Sequence, residues 1–203
     1  MRRPSRRLTG PFSRRGSTGL ESLSLSLTLL YVKYLPYTLL TALQDYYHGG
    51  RFNFLRWRGI NITQSDASPL VGELFTNRQI INDFKNYIRI HMTHKNPYTG
   101  LTYAQDLTIL AYETGNELYG NVWGDMNVRA WVQEIAKYTK SLGPHKLVLD
   151  GTYGVNTTHL DIPEVDIYSD HFYPLDAKKL SAGIEKVRGA GKVYWSGEYA
   201  WRD

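Results

Sequence analysis

The sequence predicts an α/β fold built on a parallel sheet. Three observations carry that expectation. Short apolar runs of strand length alternate with amphipathic segments of helical period. The run Leu107 to Glu113 is apolar on both faces, the pattern of a parallel strand covered from two sides. Polar residues cluster where three of the runs end, and ligands gather at the carboxyl ends of strands in such sheets.

The elements follow in order. Tyr37 to Leu43 reads as a buried strand by its length and flanks. A polar, aromatic and glycine-containing loop is expected from Asp45 to Asp66. Thr76-Asn77-Arg78-Gln79 fits a capping box, in which the Thr and Gln side chains satisfy orphan backbone donors. Behind it Ile80, Ile81, Phe84, Tyr87 and Ile88 recur at helical spacing, with a stop at Asn96-Pro97. Leu107 to Glu113 is the second strand. Val128, Trp131, Val132, Ile135, Tyr138 and Leu142 form the stripe of a second helix, which Gly143-Pro144 ends. Leu147 to Leu149 and Val165 to His171 are the third and fourth strands, and residues 151–164 between them show no clear helix. Asp176 is placed to cap a third helix carrying Leu180, Ile184 and Val187, which Gly189 and Gly191 terminate. Val193 to Glu198 is the fifth strand.

Composition narrows the function. The 203 residues are 42% hydrophobic, enough for one folded domain rather than a disordered chain. The absence of cysteine excludes disulfide scaffolds, Cys-ligated zinc and thiol catalysis. No apolar run reaches the roughly 18 residues a membrane span requires. The net charge of +5 comes from one end: Arg2, Arg3, Arg6, Arg7, Arg14 and Arg15 account for +6, and the remaining residues carry −1. A basic nucleic-acid surface would need its Lys and Arg spread over the folded body. Residues 1–30 are therefore read as an atypical, disordered basic leader. Serines break its apolar part, so it does not read as a signal peptide.

The chemistry sits in the strand tails. One ends in Glu113-Thr114-Gly115-Asn116-Glu117, another in Ser169-Asp170-His171-Phe172-Tyr173-Pro174, a third in Ser196-Gly197-Glu198-Tyr199-Ala200-Trp201. Two glutamates from different strands can thus meet across one cleft. Glycoside hydrolysis needs such a pair, one carboxylic acid to protonate the leaving oxygen and one carboxylate to attack the sugar.

The combination goes further. "DLTILAYETGNE", "VDIYSDHFYP" and "WSGEYAW", with "DYYHGGRFNFLRW" upstream, resemble the endo-β-1,4-mannanases of glycoside hydrolase family five, the fungal type most of all. The resemblance runs from about Tyr37 onward. It implies a (β/α)8 TIM barrel and a retaining double displacement on internal β-1,4 bonds of mannans. Glu117 matches the acid/base and Glu198 the nucleophile. His171 and Tyr173 match a pair that lines the site, with Tyr173 bonded to the nucleophile. Asn116 matches the residue that binds the 2-hydroxyl of the transferred sugar. Trp201 is the first choice for a sugar-stacking ring, ahead of Trp123, Tyr119, Tyr46 and Tyr47, and His48 is placed to reach the cleft.

Against that family the chain is short. The five strands correspond to the third through seventh of the barrel, so residues 31–203 are expected to form a partial catalytic domain without strands one, two and eight. The family's arginine after the second strand has no counterpart. The expected partner is mannan, galactomannan or glucomannan, outside the cell, with no cofactor, no metal, no nucleic acid and no membrane, acting as a monomer. The alternatives are an inactive remnant that at most binds polysaccharide, a related β-1,4-glycanase such as a cellulase, and a nucleic-acid binder working through the basic tail. His91 and His94 stand three apart on a helix, where solvation is the expected state, and Glu113 is read as a buried paired acid behind the site.

Overall fold

The computed structural model describes residues 27–29, 39–42, 50–62 and 68–200. All five expected strands are present: β2 Leu39–Ala42, β3 Ile109–Glu113, β4 Leu147–Asp150, β5 Ile167–Phe172 and β6 Val193–Tyr199. They lie side by side in chain order and pair in parallel. A further strand, β1 Leu27–Leu29, pairs antiparallel with β2. Consecutive parallel strands in spatial order, joined by helices on one side, build a curled half of a closed barrel.

The three expected helices form the outer layer: α3 Arg78–Thr93, α5 Asp125–Leu142 and α6 Ala177–Gly189. Asp176 caps α6 as expected, accepting from the Lys178 and Lys179 backbone N–H groups at 2.9 Å. The cap of α3 differs from the expectation. Asn77, not Thr76, is the cap, its Oδ1 accepting from Gln79 N at 3.1 Å. Thr76 instead ends the short helix α2 Glu73–Thr76 and bonds back to the Gly72 carbonyl. The helix also stops three residues before the expected Asn96-Pro97 break.

Two further helices lie outside the expected elements, the first of them in the segment read as loop. Gly50–Trp57 is a helix, α1, which buries Arg51, Phe52, Phe54 and Leu55. Gly120–Trp123 is a short helix, α4. Residues 151–164 hold only a single 3-10 turn, Thr157–His159, in keeping with the absent helical pattern.

The strands separate two clusters of apolar side chains. Tyr112, Val148 and Tyr168 face the helices and join Phe84, Trp131, Ile135 and Val187 in the main core. Phe84 stacks on Trp131 at 5.3 Å between ring centroids, and Phe75 packs edge-on to the same indole. Ala111, Leu149, Ile167, Leu147 and Trp195 form a smaller cluster on the barrel side. At the amino ends of the strands, lysines close the floor. The buried Lys146 ammonium donates to the carbonyls of Asp106 and Ile109, and Lys192 to those of Ile162 and Val165. The opposite, carboxyl ends are left for the site.

Candidate active site

Glu117 lies four residues past β3. Its backbone holds φ +51°, in the left-handed region that residues other than glycine seldom occupy. Such a conformation costs about 1–3 kcal/mol and persists only where neighbours enforce it. Here Leu118 N donates to Gly151 O at 2.9 Å, Tyr153 N donates to Leu118 O at 3.0 Å, and the buried Arg51 guanidinium donates to Asn116 O at 2.6 Å. Gly151 makes the close approach achievable: a Cβ there would stand 1.7 Å from the Gly115 carbonyl oxygen.

Glu198 reaches the same place by a different device. Along β5 and β6 the pairs run Ile167–Val193 to Asp170–Ser196, then jump to His171–Glu198, skipping Gly197. Trp195 packs on the barrel side and Tyr194 on the helix side. Strict alternation would then send Glu198 toward the helices. The one-residue bulge at Gly197 reverses the alternation and brings Glu198 beside His171. A Cβ on Gly197 would stand 2.8 Å from His171 Nε2, so the glycine also makes room for that ring.

Side-chain oxygens of Glu117 and Glu198 and a ring nitrogen of His171 lie within 4.8 Å of one another. His171, nine-tenths buried, sits between the two acids. Its Nδ1 is 2.8 Å from Glu117 Oε1 and 3.8 Å from Glu198 Oε2. Tyr173 donates its hydroxyl to Glu198 Oε2 at 2.8 Å. That bond, with some burial and the charges of Glu198 and Glu117, pushes the Tyr173 phenol up to about 12, so it stays a donor. Tyr119 donates to Glu117 Oε2 at 3.4 Å.

The sequence-selected residues thus converge in part. Glu117, Glu198, His171 and Tyr173 form one cluster, with Asn116 adjoining through the backbone. The Asn116 side-chain amide makes no hydrogen bond among the described residues. Trp201, His48, Tyr46 and Tyr47 lie outside the described residues. Trp123 is buried, stacked on Phe75 and 5.0 Å below the Arg51 guanidinium, which makes it core rather than a sugar platform. Glu113 is half-buried at the end of β3. His91 is not solvated as expected: burial, aided by His94, holds its pKa down to about 4.

Two participants were not singled out from the sequence. Arg51 supports the Asn116-Glu117 turn from the unpredicted helix α1. Tyr153, half-exposed just past β4, stacks on Tyr119 at 4.9 Å and extends an aromatic wall away from Glu117. Its position at a strand's carboxyl end was the available signal.

Comparison with known proteins agrees with this architecture. The family model described as GH family 5 beta-mannosidase-like matches residues 38–171. Mannan endo-1,4-beta-mannosidase 4 of Oryza sativa subsp. japonica is 38% identical over 114 residues, covering 52% of this chain and 23% of that protein. Mannan endo-1,4-beta-mannosidase 1 of Arabidopsis thaliana is 29% identical over 160 residues, covering 68% of this chain and 36% of the relative. Among solved structures, the hyperthermostable endo-1,4-beta-D-mannanase of Thermotoga petrophila RKU-1 superposes with a TM-score of 0.71 at 24% identity. The match covers 80% of this chain and 54% of that one. The endo-1,4-beta-mannanase of Rhizomucor miehei gives a TM-score of 0.70 at 22% identity, with the same shares covered. The chain therefore spans about a quarter to a third of these curated relatives and about half of the structural neighbours, as an incomplete (β/α)8 barrel. By the extent of the family match, the chain belongs to the glycoside hydrolase family 5 β-mannosidase-like proteins.

Proposed function

We propose that this chain carries the reacting groups of an endo-acting hydrolase of β-1,4-mannans that works by retaining double displacement. The observation that carries the reading is the approach of Glu117 and Glu198 oxygens to within 4.8 Å on one rim of the sheet. Retaining glycosidases hold their carboxyl groups about 5–5.5 Å apart, whereas inverting ones leave about 6.5–9.5 Å for a water. The short spacing favours direct attack by one carboxylate.

In the first step Glu198 attacks the anomeric carbon. The C–O bond to the leaving sugar breaks, and Glu117 gives its proton to the departing oxygen. In the second step a water attacks the glycosyl–Glu198 ester, and Glu117 takes the water's proton back. Tyr173 holds Glu198 Oε2, so Oε1 is the oxygen left to face the sugar. His171 shares a hydrogen bond with Glu117 Oε1 and fixes the acid's orientation. Asn116 offers its side-chain amide to the 2-hydroxyl of the transferred sugar. Mannan as substrate is supported by the mannan endo-1,4-beta-mannosidases among the relatives, and work on such a polysaccharide fits a location outside the cell. Among the described residues no helix is long and apolar enough to cross a membrane.

The test is release of reducing ends from galactomannan and glucomannan, with cellulose in parallel. Turnover on mannans that disappears in Glu117→Gln and in Glu198→Gln supports the reading. Binding of manno-oligosaccharides without turnover makes the chain a polysaccharide-binding module instead, and faster turnover of cellulose would reassign the substrate.

A further inference from the structure

The cluster at the rim has a second chemical capacity. Two carboxylates and one imidazole converge, and each offers a donor atom within 4.8 Å of the others. Three protein donors with a fourth position for water is the donor count of open zinc sites, and nitrogen with carboxylate oxygen is a donor set that zinc accepts. Around a tetrahedral Zn²⁺ with bonds of about 2.0 Å, donors stand roughly 3.3 Å apart. The two separations from His171 Nδ1, 2.8 Å to Glu117 and 3.8 Å to Glu198, bracket that value.

Charge points the same way. Among the described residues neither Glu117 nor Glu198 forms an ion pair with a lysine or arginine, and His171 is the one basic side chain paired with either. Lys179 is engaged elsewhere: its ammonium bonds the His171 carbonyl and lies 3.5 Å from Asp170. Two carboxyl groups are thus held close with an imidazole aimed between them. The ring is nine-tenths buried and backed by Gly197, so it is pre-positioned as a ligand. Mg²⁺ and Ca²⁺ favour six or more oxygen donors and gain little from this set.

We infer that Glu117, His171 and Glu198 form a binding site for Zn²⁺, or a similar borderline divalent cation, that engages both carboxylates at once. The ion-binding claim stands on geometry alone. Its consequence, inhibition of hydrolysis by the ion, rests on the proposed function.

Titration calorimetry of the full chain with ZnCl₂ tests the site. One Zn²⁺ per chain is expected at this locus, with affinity at least tenfold weaker in Glu198→Gln and in His171→Gln and unchanged in the exposed-site control His94→Gln. Co²⁺ added to the unmodified chain is expected to give the visible absorption of a four-coordinate ion, a readout that needs no variant to fold. Unchanged zinc affinity in both folded variants, or no four-coordinate Co²⁺ spectrum, overturns the inference. Mannan turnover that proceeds unaffected at saturating Zn²⁺ overturns it as well. Zinc binding at this site without mannan turnover in the metal-free chain leaves it standing and defeats the hydrolase reading.

Discussion

His91 provides a quantitative test of how the helix layer supports the site. It lies in the last turn of α3, its ring 5.1 Å from that of Tyr103 and 5.8 Å from that of Tyr112 on β3. Its Nε2 is buried without a hydrogen-bond partner. Burial disfavours the charged imidazolium, so the pKa falls from 6.5 to about 4. The sign follows from proton binding. Between pH 6.5 and 4 the unfolded chain takes up a proton that the folded chain refuses, so acidification favours unfolding. The contribution is fully present above pH 6.5 and is lost as pH falls through 4. A displacement of this size corresponds to roughly 3 kcal/mol. His91→Phe keeps an aromatic ring against Tyr103 and Tyr112 and removes the titration. Urea unfolding followed by tryptophan fluorescence at pH 7, 6, 5 and 4 measures the difference. The unmodified chain is expected to lose roughly 3 kcal/mol more than the variant over that range, while groups common to both cancel. Parallel stability curves for the two proteins would refute the argument that His91 is held neutral by the core.

Three further outcomes test the site itself. Tyr173→Phe removes the 2.8 Å bond to Glu198 at an exposed position, so kcat/KM on galactomannan is expected to drop roughly tenfold, about 1.4 kcal/mol; an unchanged rate would mean that Glu198 is oriented by other contacts. Gly197→Ala sets a methyl group 2.8 Å from His171 Nε2 and displaces the ring from Glu117, which is expected to lower kcat at least tenfold while thermal melting by circular dichroism stays cooperative. Gly151→Ala drives a methyl into the Gly115 carbonyl at 1.7 Å, a collision with backbone that side-chain rotation cannot relieve; a loss above about 4 kcal/mol, or failure to fold, is expected in the same melting experiment.

Much of the fold was legible because it depends on local pattern. The apolar stripes of α3 and α5 mark faces that pack on the sheet, and Asp176 announces the start of α6 through a side chain that bonds its own neighbours. What failed to show depends on distant partners. Thr76 and Asn77 are both competent caps, and the short helix α2 decides between them by claiming Thr76. Helix α1 opens on a glycine and buries an arginine among phenylalanines, so its face carries no clean stripe; the arginine is buried because Asn116 and Trp123 receive it. His91 reads as a surface histidine near a helix end until Tyr103 and Tyr112 cover it. In the site, the glutamates stood out at strand ends, and the His171–Tyr173 pair was selected by the resemblance of the motifs to the family. The aromatic wall was not, because the choice between Trp123 and Tyr153 turns on which side chain the core absorbs.

The skipped residue between Ser196 and Glu198 has a consequence for relatives and for engineering. Which compartment of a barrel an acid belongs to is decided there by a backbone offset, so a deletion or insertion of one position upstream in the strand can switch the acid between the substrate groove and the helix interior while every letter of the motif stays in place. Surveys that tally intact motifs will therefore count as competent some chains whose carboxylate points the wrong way, and a graft of this segment onto another barrel must carry the offset along with the glutamate.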